Sequence, residues 1–253
     1  MSIDRSTLAQ KWLATEGQAR YEAVQEAACL LLHVYLQKWA YLIPVELHRL
    51  AATLNAEIVR LQNLDGDAIL MPVQSGFRIL VNAALPTGRF RASVAHELVH
   101  TLFYAIEDGC TSRRSVPHTP REEPFCFDVA RHLLAPKEHL EAIGVLRESD
   151  PAVIFAKLTK VLLLSRPWAA RVMLADHVLA KGIAGRWVRT DAGCRQEKYS
   201  ATATPSLSRQ ERTKLRMAVA EHLQSPEMKS SELGILVVHE KSSDSVFVLA
   251  TQT

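Results

Sequence analysis

AHELVH, residues 95–100, is the stretch on which the interpretation of this chain depends. Apolar residues recur around it at spacings of three and four, so we predict a helix over residues 90–106. Side chains four apart share one face of a helix, and His96 and His100 can therefore direct their imidazole nitrogens at one point. Glu97 lies about 100° around the helix from His96. Its carboxylate is therefore turned too far to bind at the point where the two imidazoles converge, but it can reach the space beside that point.

This pattern favours a metal centre. Two imidazoles at this spacing supply two corners of a tetrahedral zinc site, and Glu97 is placed to take a proton from an attacking water and pass it to a leaving amine. The alternative is a solvated polar face on a surface helix. The motif is surrounded by apolar residues, which favour a buried helix, and three ionisable groups there are costly unless a metal satisfies them. These neighbours are Val94, Ala95, Leu98 and Val99.

A catalytic zinc site needs a third protein ligand. The metzincin extension would place a glycine three residues, and a histidine six residues, after the second motif histidine, but Phe103 and Ile106 occupy these positions. A glutamate from a downstream helix is the other common solution. REEPFCFDVARHLLAP, residues 121–136, offers Glu122 and Glu123 at a helix start, and the pattern leaves both open.

The elements around the motif predict a mixed fold. Helical periodicity over residues 8–40 is broken at Gly17, and another helix follows Pro44. Three short runs rich in Ile, Val and Leu then predict a small antiparallel sheet, whose first turn, LDGDA, is a hairpin signal. These runs are AEIVRL (56–61), DAILMPV (67–73) and FRILVNAAL (77–85).

The rest of the chain changes character after Gly182. Two or three helices fill residues 137–182, and residues 156–174 have the rhythm of a helix-turn-helix. The second of those helices has only one arginine for reading DNA, so we favour a packed helical hairpin. Strands around one helix, with a capping box at Ser208 and Glu211, predict a small α+β segment. We divide the chain into residues 1–136, 137–185 and 186–253.

The composition is that of an ordinary globular protein. The chain has 253 residues, an apolar share of 48% and a formal net charge of +3. This composition is not typical of a disordered chain, and the charge gives no indication of a nucleic-acid or membrane partner. Its four cysteines are widely spaced without a CxxC pair, which favours reduced thiols. There is no apolar segment after a basic start, and no apolar run long enough to cross a bilayer. We expect a cytoplasmic protein.

Two motifs in this order make the chain resemble the ImmA/IrrE family of zinc metallopeptidases. That family has a strand ending in a "v-N" pattern, an AHExxH helix, and a helix written roughly E-x-x-A-N-x-F-A-x-x-L-L-M-P. Here these are FRILVNAAL, RFRASVAHELVHTLF and EPFCFDVARHLLAP. The resemblance covers about residues 40–136 well and 137–180 loosely. It implies an α+β, mainly helical, zincin-like domain, with His96, His100 and Glu123 as zinc ligands.

The chain departs from the family pattern at several positions. Val99 replaces a glycine, Cys126 an alanine and Ala135 a methionine. Phe127 stands where the family has an Asn or Asp that supports the metal site, although Asp128 is one place on. With this substitution, Glu122 stays an alternative ligand to Glu123.

Other residues near the motif carry weaker hypotheses. Tyr104, expected on the same helical face as His100, and His118 could stabilise the oxyanion that forms when water attacks a carbonyl. For Cys126 we favour a small buried core residue over a redox-sensitive ligand. Arg113 and Arg114 could contact an acidic substrate or belong to a solvated loop. We expect an extended peptide to bind by strand addition along an edge strand near residues 77–83.

The resemblance implies a regulatory enzyme. Studied members act on DNA-binding repressors of the helix-turn-helix type, in the control of mobile elements or in stress responses. We therefore expect a zinc-dependent endopeptidase whose partner is such a repressor, with no direct binding to nucleic acid and with a C-terminal segment that is a sensor module or a structural cap. The alternative is a non-catalytic regulatory or DNA-binding protein that keeps the fold as a scaffold. A toxin–antitoxin component is a third possibility.

Overall fold

The computed structural model describes residues 11–40, 42–113, 120–175, 181–190, 193–201, 209–224, 233–239 and 245–252. Helices and small sheets share the chain, which confirms the predicted α+β class. The chain divides into two compact units, residues 1–139 with 162–164 and residues 140–161 with 165–253. Among the described residues, no helix combines the length and the apolar character needed to cross a membrane.

Among the residues that the structure describes, the first unit contains several helices and two small sheets. The helix predicted over residues 8–40 is interrupted by Gly17, where φ is +57°, a left-handed conformation that glycine adopts without steric cost. The elements in chain order are α1 (Gly17–Leu36), α2 (Leu47–Thr53), β1 (Ala56–Leu61), β2 (Ala68–Val73), β3 (Gly76–Asn82), α3 (Thr87–His100), β4 (Tyr104–Glu107), β5 (Cys110–Arg113) and α4 (Glu122–Leu134).

The three predicted strands form, but their arrangement differs from the expected antiparallel sheet. β3 is the central strand, β1 runs parallel to it and β2 runs antiparallel to it. The LDGDA segment therefore does not close a hairpin between neighbours; it crosses the end of β3, where the Asn82 Nδ2 donates to the carbonyls of Leu64 and Gly66. β3 takes the centre because it is the most apolar strand: Phe77, Ile79 and Val81 are at most 4% exposed.

The central position of β3 also corrects the expectation of an edge strand near residues 77–83. β2 is an edge strand of this sheet, and it carries the exposed apolar side chains Ile69, Met71 and Val73 on one face. A sheet edge that a peptide could extend is thus present, one strand away from the expected one.

The motif helix is shorter than predicted. α3 ends at His100, and a single 3₁₀ turn over Thr101–Phe103 leads into the hairpin of β4 and β5. Asp108 and Gly109 form the hairpin turn with φ of 51° and 72°, and a tight hairpin turn of this kind requires positive φ at both central residues. The Asp-Gly pair is a hairpin signal, which overrides the helical spacing that continues to Ile106.

The core beneath the motif is formed by the packing of α3 on α4. The four apolar residues that flank the motif are all fully buried, as are five residues of α4. This confirms the prediction that the motif helix is buried. The residues are Val94, Ala95, Leu98 and Val99 of α3, and Cys126, Val129, Ala130, Leu133 and Leu134 of α4.

The second unit consists of short helices and a four-stranded antiparallel sheet of order β7-β6-β9-β8. The helix expected from Ser208 is present from Arg209, with strands on either side of it, while the proposed cap Ser208 lies outside the described residues. The described part of residues 137–182 contains three helices. The predicted division at 185/186 falls inside β6. The elements are α5 (Lys137–Ala142), which begins in the first unit, α6 (Pro151–Lys160), α7 (Arg166–Ala175), β6 (Lys181–Thr190), β7 (Gly193–Ala201), α8 (Arg209–Gln224), β8 (Leu233–His239) and β9 (Ser245–Gln252).

Candidate metal centre

The last two turns of α3 hold the two motif histidines side by side. His96 Nε2 and His100 Nε2 are 3.1 Å apart, and the rings meet nearly edge to face with their centroids 4.8 Å apart. His96 is 7% exposed and His100 is half-buried. The four-residue spacing therefore produces the convergent pair of nitrogens that the sequence predicts.

The first turn of α4 brings a carboxylate to this pair. Glu123 Oε2 lies 3.1 Å from His96 Nε2, and its Oε1 lies 3.3 Å from His100 Nε2. The Glu123 side chain is 53% exposed, so the cluster opens toward solvent on this side. His96, His100 and Glu123 each present a ligand atom to one small volume, and the group could hold a metal ion.

The electrostatics of the cluster suit a ligand set. Burial, followed by repulsion from His100, lowers the pKa of His96 to about 4. Burial by itself would lower the pKa of His100 as well, but the hydrogen bond to Glu122 and the nearby carboxylates raise it above its ordinary value. His96 is thus a neutral imidazole at neutral pH, the form in which histidine binds metals.

Glu122, the alternative third ligand, occupies a different place. Its side chain is fully buried, and its Oε1 lies 3.1 Å from His100 Nδ1, the nitrogen that faces away from the cluster. Arg113, the last residue of β5, donates to both carboxylate oxygens, with Nη1 3.3 Å from Oε1. These contacts lower the pKa of Glu122 to about 2, although burial alone would raise it. Glu122 is therefore an ionised carboxylate behind a histidine of the cluster.

Glu97 lies beside the cluster and outside it. Its Oε2 accepts a hydrogen bond of 2.9 Å from the backbone N–H of Leu70 in β2. Burial raises the pKa of Glu97 above its ordinary value, which makes the carboxylate more basic than one in water. The motif glutamate is thus held between the edge strand and the histidines.

Phe127 covers one face of His96, with ring centroids 4.2 Å apart. His96 Nδ1 is buried and has no hydrogen-bond partner among the described residues. Asp128, the neighbouring acid that the sequence offers as a substitute, instead pairs with Arg20 at 3.4 Å and with Arg131 at 3.7 Å. Within the part of the chain that the structure describes, His100 has an outer carboxylate and His96 has none.

The remaining candidates do not belong to the group of three possible ligands. Cys126 is fully buried with its Sγ 3.6 Å from His100 Nδ1, and burial raises the pKa of its thiol well above the ordinary value, as the interpretation as a core residue predicts. Tyr104 is the first residue of β4, so it does not continue the helical face of His100; its ring packs edge-on against Phe77. His118, like Arg114, lies outside the described residues.

Three contributions to this site have no local signature in the sequence. They are the N–H of Leu70 on Glu97, the Glu122 carboxylate on His100, and the Arg113 guanidinium on Glu122. Arg113 is therefore neither a substrate contact in a loop nor a solvated charge. The one available signal was the pair Glu122 and Glu123 itself: adjacent residues point about 100° apart on a helix, so both cannot face the same metal.

Comparisons with known proteins bear on the fold. No model of a known protein family matches the chain, and no curated protein matches it. Among solved structures, a Mycobacterium tuberculosis transcriptional regulator is similar, with a TM-score of 0.51 and 11% sequence identity over 98% of this chain and 80% of that chain. At this level of identity the likeness is one of fold alone.

Proposed function

We propose that this chain is a zinc-dependent endopeptidase of the ImmA/IrrE kind that cuts a cytoplasmic regulatory protein. The observation that carries the proposal is Glu97: a half-buried carboxylate beside three convergent ligand atoms, held off the ligand position by the N–H of Leu70. A structural metal site has no use for such a group, whereas hydrolysis needs a base at this position.

The donor set suits zinc. A tetrahedral zinc ion with bonds of about 2.05 Å keeps its ligand atoms roughly 3.3 Å apart. The nitrogens of His96 and His100 are 3.1 Å apart, and the Glu123 oxygens lie 3.1 and 3.3 Å from them. Two imidazoles and one carboxylate are a common set in catalytic zinc sites, where a fourth position stays open to solvent or substrate.

The residues of the chain would divide the work of hydrolysis among them. When bound, zinc supplies Lewis-acid chemistry that polarises the peptide carbonyl and makes water more acidic. Glu97 takes a proton from the attacking water, because burial makes its carboxylate more basic, and returns it to the amine that leaves. Phe127 covers one face of His96, and buried apolar residues of α3 and α4 lie beneath the histidines.

The edge strand β2 is the surface on which an extended substrate would bind. Alternate residues of a strand turn their N–H groups to opposite sides, and the N–H of Leu70 turns outward to Glu97. Ala68 and Pro72 share that outward orientation, and Pro72, which has no N–H, is tolerated at an unpaired edge. A peptide that pairs with the outward carbonyls of Ala68 and Leu70 would pass directly over Glu97.

The substrate class follows from the resemblance. We propose a helix-turn-helix repressor, because the enzymes that the motifs resemble act on such proteins and the chain is similar in fold to a transcriptional regulator. The second candidate, a non-catalytic scaffold, is favoured by one observation: His96 Nδ1 lacks a partner among the described residues. Retention of Glu97 argues against it.

The metal is tested by elemental mass spectrometry of untagged protein purified with and without added zinc. We expect about one zinc per chain, lost in His100→Ala and in Glu123→Ala and kept in Glu107→Gln, an exposed control on β4. An unmodified chain that binds no zinc when zinc is supplied would end the proposal.

Catalysis is tested with zinc-loaded protein and a library of peptides derived from a digested proteome, with new termini identified by mass spectrometry. We expect cleavage by the unmodified chain, and none by Glu97→Gln, which should still hold zinc because Glu97 is not a ligand. If zinc-loaded wild-type protein produces no more new termini than Glu97→Gln, the scaffold candidate replaces the peptidase.

A further inference from the structure

The carboxylate of Glu122 is fully buried. Burial of a charged group is costly unless a partner of opposite charge or hydrogen bonds compensate for the lost water. Arg113 supplies a cation through two hydrogen bonds, and His100 Nδ1 lies 3.1 Å from the carboxylate Oε1. Because α4 also carries Glu123, the same turn of helix supplies one carboxylate on the metal side of His100 and one behind it.

A carboxylate that already accepts from an arginine and lies behind a histidine sets which ring nitrogen carries the proton. A proton on His100 Nδ1, donated to Glu122, leaves the lone pair of Nε2 directed at His96 Nε2 and Glu123. The contact also fixes the ring plane, since rotation about the Cβ–Cγ bond would break it. Both effects pre-organise a ligand before the metal arrives.

His96 has no such support. Its Nδ1 is buried without a hydrogen-bond partner among the described residues, and the neighbouring side chain on α4 is the ring of Phe127, which offers no acceptor. Its Nε2 lies 3.1 Å from Glu123 Oε2, but on the Nδ1 side the ring is held by packing, between Phe127 and the His100 ring. The two histidines of one motif are therefore held by different forces.

We propose that Glu122, held by Arg113, is the positioning residue that orients His100 for the metal, and that Phe127 leaves His96 without an equivalent acceptor. This inference rests on the proposed zinc site and deepens it. The support of the centre is one-sided, so zinc affinity depends strongly on the pair Glu122 and Arg113 and is lower than the ligand set alone would allow.

The test is zinc affinity, measured by competition with a chromophoric chelator. Glu122→Ala is expected to weaken zinc binding about 10–100-fold, the usual effect of removing an outer partner of a ligand histidine. Asp128→Asn is the matched control, because it removes from the same helix a carboxylate that pairs with Arg20 and Arg131 and not with the histidines. It should change affinity less than about 3-fold, well below that range.

A second readout separates positioning from a general loss of structure. The visible spectrum of the Co²⁺-substituted protein reports ligand geometry, and it should change in Glu122→Ala but return toward the wild-type spectrum in Glu122→Gln. The reason is that the Gln carbonyl can still accept from His100 Nδ1. Far-UV circular dichroism of each apo variant shows whether it is folded.

Phe127→Asp tests the other half of the inference. A carboxylate at the position that now covers His96 offers Nδ1 an acceptor, and zinc affinity should rise by at least 3-fold. Unchanged zinc affinity in folded Glu122→Ala would overturn the role of Glu122, and unchanged affinity in Phe127→Asp would overturn the one-sided support. If the unmodified chain binds no zinc, the proposed function and this inference fall together.

Discussion

Replacing Arg113 with Met should destabilise the first unit much more than the loss of a surface ion pair does. Arg113 is 27% exposed and donates to both oxygens of Glu122, whose side chain is 0% exposed. Removing one partner of a buried pair leaves an uncompensated charge, at a cost of about 3–5 kcal/mol. His100 Nδ1 remains as a donor to Glu122, so we expect the lower end, about 3 kcal/mol.

The sign of the double variant is the decisive part of this prediction. Arg113→Met with Glu122→Gln removes both charges, and the neutral Gln needs no cation, so the double variant should be more stable than Arg113→Met alone, by roughly 1–2 kcal/mol. The control is Arg78→Met, which breaks an exposed pair with Glu57 at 3.1 Å and should cost less than about 1 kcal/mol.

The measurement is urea denaturation at neutral pH with a chelator present, so that metal binding does not add to the stability. The reasoning would be refuted if Arg113→Met lost no more stability than Arg78→Met. It would also be refuted if adding Glu122→Gln lowered the stability further, since the carboxylate would then not depend on the arginine for its burial.

Four more substitutions test the fold. Gly76→Ala should lower the unfolding free energy by about 2–3 kcal/mol, because its Cβ would lie 2.2 Å from the Asn55 carbonyl oxygen, which accepts from the Phe77 N–H of β3; urea denaturation measures this. Leu70→Pro should leave the protein folded, as measured by circular dichroism, whereas Ile69→Pro should unfold it. The reason is that the Ile69 N–H turns toward β3 and the Leu70 N–H turns away from it. An equal loss of structure in both variants would show that β2 is oriented otherwise. Replacing the helix cap Asp150 by Ala should cost about 1 kcal/mol in the same denaturation assay, because its Oδ1 accepts an N–H of α6 at 2.8 Å.

The candidate ligands could be predicted from the sequence because their geometry is local. His96 and His100 meet because the helix repeats every 3.6 residues, and that relation holds whatever else the chain does. The burial of the motif helix also follows from its apolar neighbours. The resemblance to a family with an AHExxH helix followed by a second motif helix predicted Glu123 as the third ligand. In the structure, its carboxylate lies beside both histidines.

The length of the motif helix shows where two local signals compete. Helical spacing continues to Ile106, but Asp108 and Gly109 favour a tight hairpin. Two residues that adopt positive φ define a turn regardless of the spacing before it, so the helix ends at His100 and Tyr104 begins a strand. The Asp-Gly turn signal is present in the sequence, and in the structure it prevails over the helical periodicity.

Tertiary structure alone decided the strand order and the partners of the site. The LDGDA segment has the sequence of a hairpin turn, yet the two strands that it connects, β1 and β2, are separated by β3. The most apolar strand lies at the centre of the sheet, because there it buries the most apolar surface. Arg113 reaches Glu122, and Leu70 reaches Glu97, across 9 and 27 positions of sequence. Periodicity and turn chemistry act between residues that are close in the chain. The contacts of Glu122 and Glu97 form only after the helices and the sheet have packed, because a buried charge or an unpaired N–H then needs a partner that is near in space.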